Sequence, residues 1–358
     1  MNRRHLAVLV AAAIVAAGLV TAQLAAGASN GVRVLVSGLN NPRGVAVGPD
    51  GAVYVANAGA AGRICIGKGQ DAQCGGFTGS ITKVVNGKAQ RLSTGFLSLG
   101  GRDGSFSVGV DDVVVTPGGY VYAIETSMGQ HVPPGVPPAA AAQSGKLLEI
   151  GPRAVKHPVA DVSHVEWTLN PDHSNLDSDP YSVAVDRSGL IVADAAANDL
   201  LRVHWDGSIS VLAVFPTQRF GKHVVQSVPT AVAVGPDGAY YVGELGGDGT
   251  PNGHARIWRV VPGSPPTVWR SGFTAVVGLD FGPDGSAYVA ELVKHGLAAA
   301  QKGDVAGAVI RVFPNGQRRE LAAGRLPAVG GVGVGRDGKV YVSTGAIFAG
   351  KGQLVEVQ

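Results

Sequence analysis

The chain is poor in charge, in aromatic residues and in cysteine. Of its 358 residues, 15% are charged and 6% are aromatic, and the cysteine count is 2. The formal net charge of +3 is spread along the chain without a cluster of lysine and arginine. Because nucleic-acid-binding proteins concentrate basic residues in a patch or stripe, we exclude nucleic acid as a partner.

Long apolar runs are missing after residue 28. Before it, Arg3 and Arg4 precede an apolar segment at 6–20 and an Ala-Gly-Ala exit that ends at Ala28, a pattern typical of a secretory signal peptide. The alternative is an uncleaved anchor helix, since 6–28 almost spans a bilayer. We predict cleavage after Ala28 and a monomer without a membrane span, either secreted or held in the periplasm or cell envelope.

The sequence also lacks the common catalytic motifs. It has no Gly-x-Ser-x-Gly nucleophile motif, no phosphate-binding loop and no dinucleotide-binding fingerprint. Both cysteines, Cys65 and Cys74, lie in one loop, and an even count in an exported chain favours a disulfide. The C-x-x-C spacing of redox pairs is absent, so a redox role is the weaker interpretation.

Glycine is abundant, with 54 residues, and it marks an internal repeat. Each copy consists of a short apolar strand, a Gly-Pro-Asp-Gly-like turn and a second strand that ends at a polar residue. One hairpin cannot bury its own apolar face, so the repeat predicts units packed into one body. The copies lie at 45–57, 113–125, 183–194, 232–244, 279–291 and 332–344.

Two further strand-like segments follow each hairpin, which gives the four antiparallel strands of a β-propeller blade. The predicted fourth strands lie at 89–92, 164–169, 208–214, 267–270 and 317–321. The sixth copy lacks this strand, and 32–36 supplies it from the other end of the chain, which closes the ring. We therefore predict an all-β, six-bladed β-propeller that forms a single domain over 29–358.

Three features resemble the ScyD/ScyE family of exported propellers. They are the segment NPRGVAV at 41–47, the inserted loop with two cysteines, and YVAE at 288–291. The strand endings also resemble NHL-repeat propellers. The resemblance implies an exported propeller and no particular activity.

One aligned position stands at the end of every second strand. Two interpretations are open: the side chains accept hydrogen bonds from loop amides, which we favour, or the carboxylates bind a metal. The metal candidates are Glu125, Asp194, Glu244 and Glu291, and Asn57 and Thr344 complete the set.

A second aligned set stands where the innermost strands begin, at the mouth of the central channel. Its members are Arg43, Asp111, Tyr181, Thr230, Val277 and Gly330. The polar members, together with Asp112 next to Asp111, are the predicted ligand-binding residues. Asp111 and Asp112 interrupt an apolar series beside Arg43. We favour an ion pair over a Ca²⁺ or Mg²⁺ site, because two carboxylates supply too few oxygen ligands.

The long loops emerge on one face, here called the looped face, and the hairpin turns on the opposite, tight-turn face. Binding residues concentrate on loops held by a rigid scaffold. The looped face carries His173 and His223, which together with Glu125 and Glu244 are the candidate catalytic residues. No histidine shows ligand-type spacing, so we predict no cofactor and keep a divalent cation, Ca²⁺ or Zn²⁺, as an alternative.

Two functions follow from this pattern. The first is a non-catalytic binding propeller that uses its looped face for a small molecule, a glycan or an envelope protein. The alternative is a metal-dependent enzyme similar to propeller lactonases and streptogramin lyases, with carboxylates at the channel mouth and a histidine base within hydrogen-bond reach. The fold alone does not separate them, because propellers host both kinds of function.

Overall fold

The computed structural model describes residues 31–69, 72–131 and 136–358. The signal peptide predicted over 1–28 lies outside these residues, and the single-domain boundary stays a prediction. No helix in the described part of the chain is long and apolar enough to cross a membrane.

The structure is built from four-stranded antiparallel blades, as predicted. After the N-terminal strand β1 (Val32–Leu39), blade one contains β2 (Pro42–Val47), β3 (Val53–Asn57), β5 (Gln73–Val85) and β6 (Lys88–Gly101), and β4 (Ile64–Ile66) pairs with β5. Blade two contains β7 (Val108–Val115), β8 (Val121–Glu125), β9 (Lys146–Ile150) and β10 (Lys156–Asp161).

The remaining blades repeat this order from the channel outwards. Blade three contains β11 (Pro180–Val185), β12 (Gly189–Asp194), β13 (Asp199–His204) and β14 (Ile209–Val214). The hairpin β15 (Gln218–Phe220) and β16 (His223–Val225) precedes blade four, which contains β17 (Pro229–Val234), β18 (Tyr240–Glu244), β19 (Ala255–Val260) and β20 (Thr267–Phe273). Blade five contains β21 (Val276–Phe281), β22 (Ala287–Glu291), β23 (Ala308–Val312) and β24 (Arg318–Leu321).

The N-terminal strand completes blade six, as the sequence predicts. This blade contains β25 (Gly331–Val334), β26 (Val340–Thr344) and β27 (Gly352–Val357). β1 pairs with β27 as its fourth strand, with Val34 opposite Val355. β25 also lies against β2 of blade one: a Cβ added at Gly331 would stand 3.0 Å from the Cα of Gly44.

The core lies between neighbouring blades. Every residue of β8, β18, β22 and β26 is buried, because these second strands are covered on both faces. Between blades one and two, for example, Tyr54, Ile81 and Phe96 pack against Val113 and Leu148. This packing holds the innermost strands in fixed positions around the channel.

One predicted strand is wrong. Residues 164–169, expected as the fourth strand of blade two, form the helix α2 (His164–Leu169), and β10 takes that place in the sheet. β10 contains Pro158, which an outermost strand tolerates because its outward N–H needs no partner. The helix buries Val165 and ends at Asn170 in the left-handed conformation, with φ 42°.

The predicted disulfide between Cys65 and Cys74 is confirmed. It joins β4 to β5 at directly paired positions within the long loop of blade one. The other loops hold short elements: α1 (Pro138–Ala141) in blade two, a 3-10 turn at Pro152–Ala154 and α3 (Leu297–Ala300) in blade five.

Candidate functional site

Arg43 is at the centre of a buried polar group at the looped-face end of the channel. Its Nη1 donates to Tyr181 Oη at 3.2 Å and its Nη2 to the Ser107 carbonyl at 2.8 Å. Its Nε lies 3.6 Å from Asp111 Oδ1. The sequence favours an ion pair at this place, and the structure brings Arg43 and Asp111 together in one.

Asp112 points away from this pair. Its Oδ2 accepts hydrogen bonds from Ser182 Oγ at 2.8 Å and from the Val183 amide at 2.9 Å, which ties blade two to blade three. Asp111 lies beside Arg43 and Asp112 is bonded to Ser182 and Val183, so the two carboxyls are engaged by different partners. Burial raises the pKa of Asp112 to about 6.

Thr230 also connects two blades. Its side chain is fully buried, and its hydroxyl donates to the carbonyl of Val276 in blade five at 2.5 Å. The ligand-binding role predicted for Arg43, Asp111, Tyr181 and Thr230 therefore coexists with a structural role, and it stays a prediction.

Three of the acidic strand ends are engaged by hydrogen-bond donors. Asp194 accepts from the amides of Asp179 and Ala197 and from Ser178 Oγ. Glu291 accepts from the Thr274 amide at 2.8 Å. Such bonds satisfy the loop amides that follow the strands, which is the structural role favoured for this position.

Glu244 has the most complete set of donors. Arg256 Nε lies 2.7 Å from its Oε1, and Trp258 Nε1 lies 3.0 Å from its Oε2. Ser227 Oγ donates to Oε2 at 2.6 Å and Gln218 Nε2 to Oε1 at 2.9 Å. Pairing and hydrogen bonds of this kind offset the cost of burying a carboxylate.

Glu125 occupies the same repeat position in blade two and has no such donors. It is fully buried, and neither carboxyl oxygen has a hydrogen-bond partner among the described residues. Burial raises its pKa well above the usual range, and the nearby charge of Asp111 adds to the shift. Burial without donors therefore favours the protonated form of Glu125.

Asp179 lies between the buried polar group around Arg43 and the solvent. The residue is partly exposed and stands at the entrance to β11, where its Oδ1 accepts a hydrogen bond from Thr126 Oγ1 at 2.7 Å. Burial raises its pKa to about 7, while the Thr126 bond and the charge of Arg43 act in the opposite direction. The aligned repeats do not single out Asp179, although it lies two residues before the aligned position of Tyr181.

An apolar cluster packs at the same end of the channel. Ala195, Leu245 and Leu292, each directly after an acidic strand end, belong to it, as do Tyr181 and Ile347. Arg43 is only 5% exposed and Asp111 only 1% exposed. Asp179, in contrast, is partly exposed.

The candidate catalytic histidines lie on the surface and apart from the acidic group. His173 is exposed, with φ 56°, and His223 is exposed on β16, paired with Phe220. No three His, Cys, Asp or Glu side chains of the described ranges come together as a metal-binding group. The metal roles proposed for Glu125, Asp194, Glu244 and Glu291 stay predictions.

A pocket of about 410 Å³ lies at the opposite end of the channel, on the tight-turn face. Its walls include the last residues of three innermost strands, Val47, Val115 and Val185, together with Trp205. The prediction from sequence placed binding on the looped face and missed this pocket. The signal in the sequence was a change of the turn proline to arginine in blades three and six.

Comparison with known proteins places the chain by fold. No protein-family model matches it, and no curated protein matches its sequence. A gluconolactonase from Xanthomonas campestris superposes with a TM-score of 0.55 at 10% identity, covering 91% of this chain and 88% of that one.

Two other solved structures are similar to the same degree. The PQQ-bound aldose sugar dehydrogenase from Streptomyces coelicolor gives a TM-score of 0.55 at 15% identity, over 91% of this chain and 97% of that one. A streptogramin B lyase gives 0.51 at 14% identity, over 91% and 97%. At these identities the similarity shows the fold alone: the protein is a β-propeller.

Proposed function

We propose that the protein is an enzyme that opens a cyclic ester (lactone) by general acid–base catalysis, with Asp179 as the residue that accepts and returns the proton. The observation that carries the proposal is the position of Asp179. Asp179 is a partly exposed residue at the channel mouth, and its carboxyl is bonded to Thr126 and influenced by the charge of Arg43.

The acid–base balance of the site supports this role. A pKa of about 7 leaves Asp179 partly ionised at neutral pH, which suits a group that must both take and give a proton. Glu125 is buried behind it, and burial raises its pKa well above the usual range. Perturbed carboxyls grouped at a channel mouth are typical of functional sites.

The proposed reaction has two proton transfers. Ionised Asp179 removes a proton from a water molecule as the water oxygen bonds to the lactone carbonyl carbon. The ring C–O bond then breaks, and protonated Asp179 gives the proton to the leaving alkoxide, so that the product is a hydroxy acid. The gluconolactonase named among the similar propellers supports a lactone as the substrate class.

Family and location are part of the proposal. We propose membership of the ScyD/ScyE family, cleavage of residues 1–28 and export from the cytoplasm. The Cys65–Cys74 disulfide supports export, because disulfides persist in oxidising compartments.

A substitution at Asp179 tests the function. On a panel of five- and six-membered lactones, Asp179→Asn should lower kcat by about 10²–10⁴-fold, since the amide cannot take the proton. Asp248→Asn, at an exposed carboxyl on the same face, is the matched control and should keep full activity. For the unmodified protein, kcat should rise with pH through about 7 as Asp179 ionises.

Two outcomes would overturn the proposal: no lactone opening by the unmodified protein, or full activity in Asp179→Asn. The assay is repeated with a chelator and then with added Ca²⁺ or Zn²⁺. Activity that is lost and restored in this way would replace the proposed mechanism with the metal-dependent one.

The second candidate function is the non-catalytic binding propeller predicted from the sequence. The burial of Arg43, Asp111 and Tyr181 beside an apolar cluster favours it, because these side chains are occupied with one another. A stable complex with a ligand that is never turned over would support this candidate.

A further inference from the structure

We propose a second ligand site, independent of the proposed function, in the pocket on the tight-turn face. We infer that it binds a small organic anion with a carboxylate group and a flat apolar body, of the class of aromatic carboxylic acids.

The position of two arginines is the first argument. In four blades the hairpin turn carries a proline, at Pro49, Pro117, Pro236 and Pro283. Blades three and six carry Arg187 and Arg336 at this place, and both line the pocket together with Pro49 and Pro117. Blades six, one, two and three follow one another around the channel, so the arginines stand on opposite sides of the pocket.

The charge of these arginines is not neutralised by the protein. Neither guanidinium has a hydrogen-bond or ion-pair partner among the described residues. The turn carboxylates at the rim have other cations: Asp50 lies 3.5 Å from Lys83 Nζ, and Asp337 lies 2.6 Å from Lys339 Nζ. The pocket mouth therefore keeps an excess of positive charge.

The one acidic residue in the pocket wall is already engaged. Asp186 accepts hydrogen bonds from the Ser188 amide and hydroxyl at 2.6 Å, and from Tyr240 Oη. Tyr240 in turn accepts a bond from Arg202. Asp186 thus belongs to a network that offsets its charge and leaves the two pocket arginines free for a ligand.

The walls select an apolar body. Val47, Val115 and Val185 form an apolar floor where their strands end, and Trp205 is 52% exposed beside them. The indole Nε1 donates to the Arg187 carbonyl at 3.1 Å, which fixes the ring against the turn that carries the arginine. A volume of about 410 Å³ lies within the range of small-molecule sites, and guanidinium groups bind carboxylates in a bidentate manner.

Calorimetric titration of the full chain with 2-naphthoate tests this inference. We expect binding that weakens about 100-fold in Arg187→Ala/Arg336→Ala, at about tenfold for each guanidinium–carboxylate interaction that is removed. The control is Arg91→Ala/Arg319→Ala, which removes the same charge from exposed outer strands and should bind as the unmodified protein does. Val115→Phe should abolish binding, because the larger side chain fills the pocket above the apolar floor. If that variant does not fold, the arginine variants alone test the site.

A neutral probe tests whether the ligand must be an anion, and an inorganic anion tests whether it must have an apolar body. 2-Naphthylmethanol should bind at least tenfold more weakly than 2-naphthoate, and inorganic phosphate should not compete with it at equal concentration. Equal affinity for the alcohol would overturn the anion assignment, and equal affinity for phosphate would overturn the apolar body. No binding of 2-naphthoate, or unchanged binding in Arg187→Ala/Arg336→Ala, would overturn the site.

Discussion

Glu125 in blade two and Glu244 in blade four occupy the same position of the repeat and are both fully buried. Glu244 receives hydrogen bonds from Arg256, Trp258 and other donors, whereas Glu125 receives none among the described residues. The blade position therefore fixes burial, and the surrounding residues decide whether the buried carboxyl has hydrogen-bond donors. The carboxyl with donors stabilises its blade, whereas burial without donors raises the pKa of the other.

The largest expected effect comes from removing the charge of Glu244. Glu244→Gln leaves the partly buried guanidinium of Arg256 unpaired, so we expect a loss of about 3–5 kcal/mol in the free energy of unfolding. Glu125→Gln removes a buried carboxyl that has no hydrogen-bond partner among the described residues, so it leaves no group unpaired and should not lower this free energy. Urea denaturation of both variants measures the difference, and equal losses would break the comparison.

The sequence predicts the blades well, because their signals are local. The alternation of each hairpin and the turn glycines identify the strands, and β1 is recognised as the missing strand of blade six. Residues 164–169 mislead because an amphipathic segment that short fits a strand or a helix, and the pairing of β10 with β9 excluded them from the sheet.

The candidate site is less predictable, because its properties depend on residues distant in sequence. An alignment of the repeats places Glu125 and Glu244 at equivalent positions and predicts the same role for both. Only the fold brings Gln218 and Trp258 within hydrogen-bond distance of Glu244. No motif or repeat position in the sequence distinguishes Asp179 from the other aspartates. Its pKa is raised to about 7 by burial, which only the fold creates. The arginines at 187 and 336 were visible as departures from the repeat, but the apolar floor between them arises only when the strand ends meet.

The second prediction concerns pH and extends the comparison to blade three. Asp199, like Glu125, is fully buried with no hydrogen-bond partner among the described residues, and burial raises its pKa well above the usual range. An acid whose pKa is raised by folding binds its proton more tightly in the folded state. Its contribution to stability is therefore complete below the unfolded pKa, about 4, and is lost as the pH rises towards the folded pKa.

The free energy of unfolding should accordingly fall between pH 5 and pH 7. Glu125→Gln/Asp199→Asn removes two titrating groups and should flatten this slope by about 1.4 kcal/mol per pH unit for each. Asp206→Asn, at an exposed turn carboxyl whose pKa is lowered by hydrogen bonds from Ser208, is the control and should keep the slope. Parallel pH profiles for the double variant and the unmodified protein would contradict the assignment of neutral, buried carboxyls.

The smallest loss of stability is expected for a substitution of Asp112. It allows a comparison within blade two, between a carboxyl that has donors and Glu125, which has none. This buried carboxyl does have donors, Ser182 Oγ and the Val183 amide, across the seam to blade three. Asp112→Ala leaves that amide without an acceptor and should cost about 1–3 kcal/mol.

Asp280→Ala is the matched variant, because Asp280 accepts from the Val334 amide at 2.7 Å across the seam between blades five and six. Similar losses in the two variants, measured by urea denaturation, would show that donors rather than the choice of blade decide what a buried carboxyl contributes. A loss at Asp280 with none at Asp112 would instead mean that the seam between blades two and three tolerates an unsatisfied amide, as blade two tolerates an unsatisfied carboxyl. The comparison between Glu125 and Glu244 would then reflect looser packing around blade two and not the presence or absence of donors.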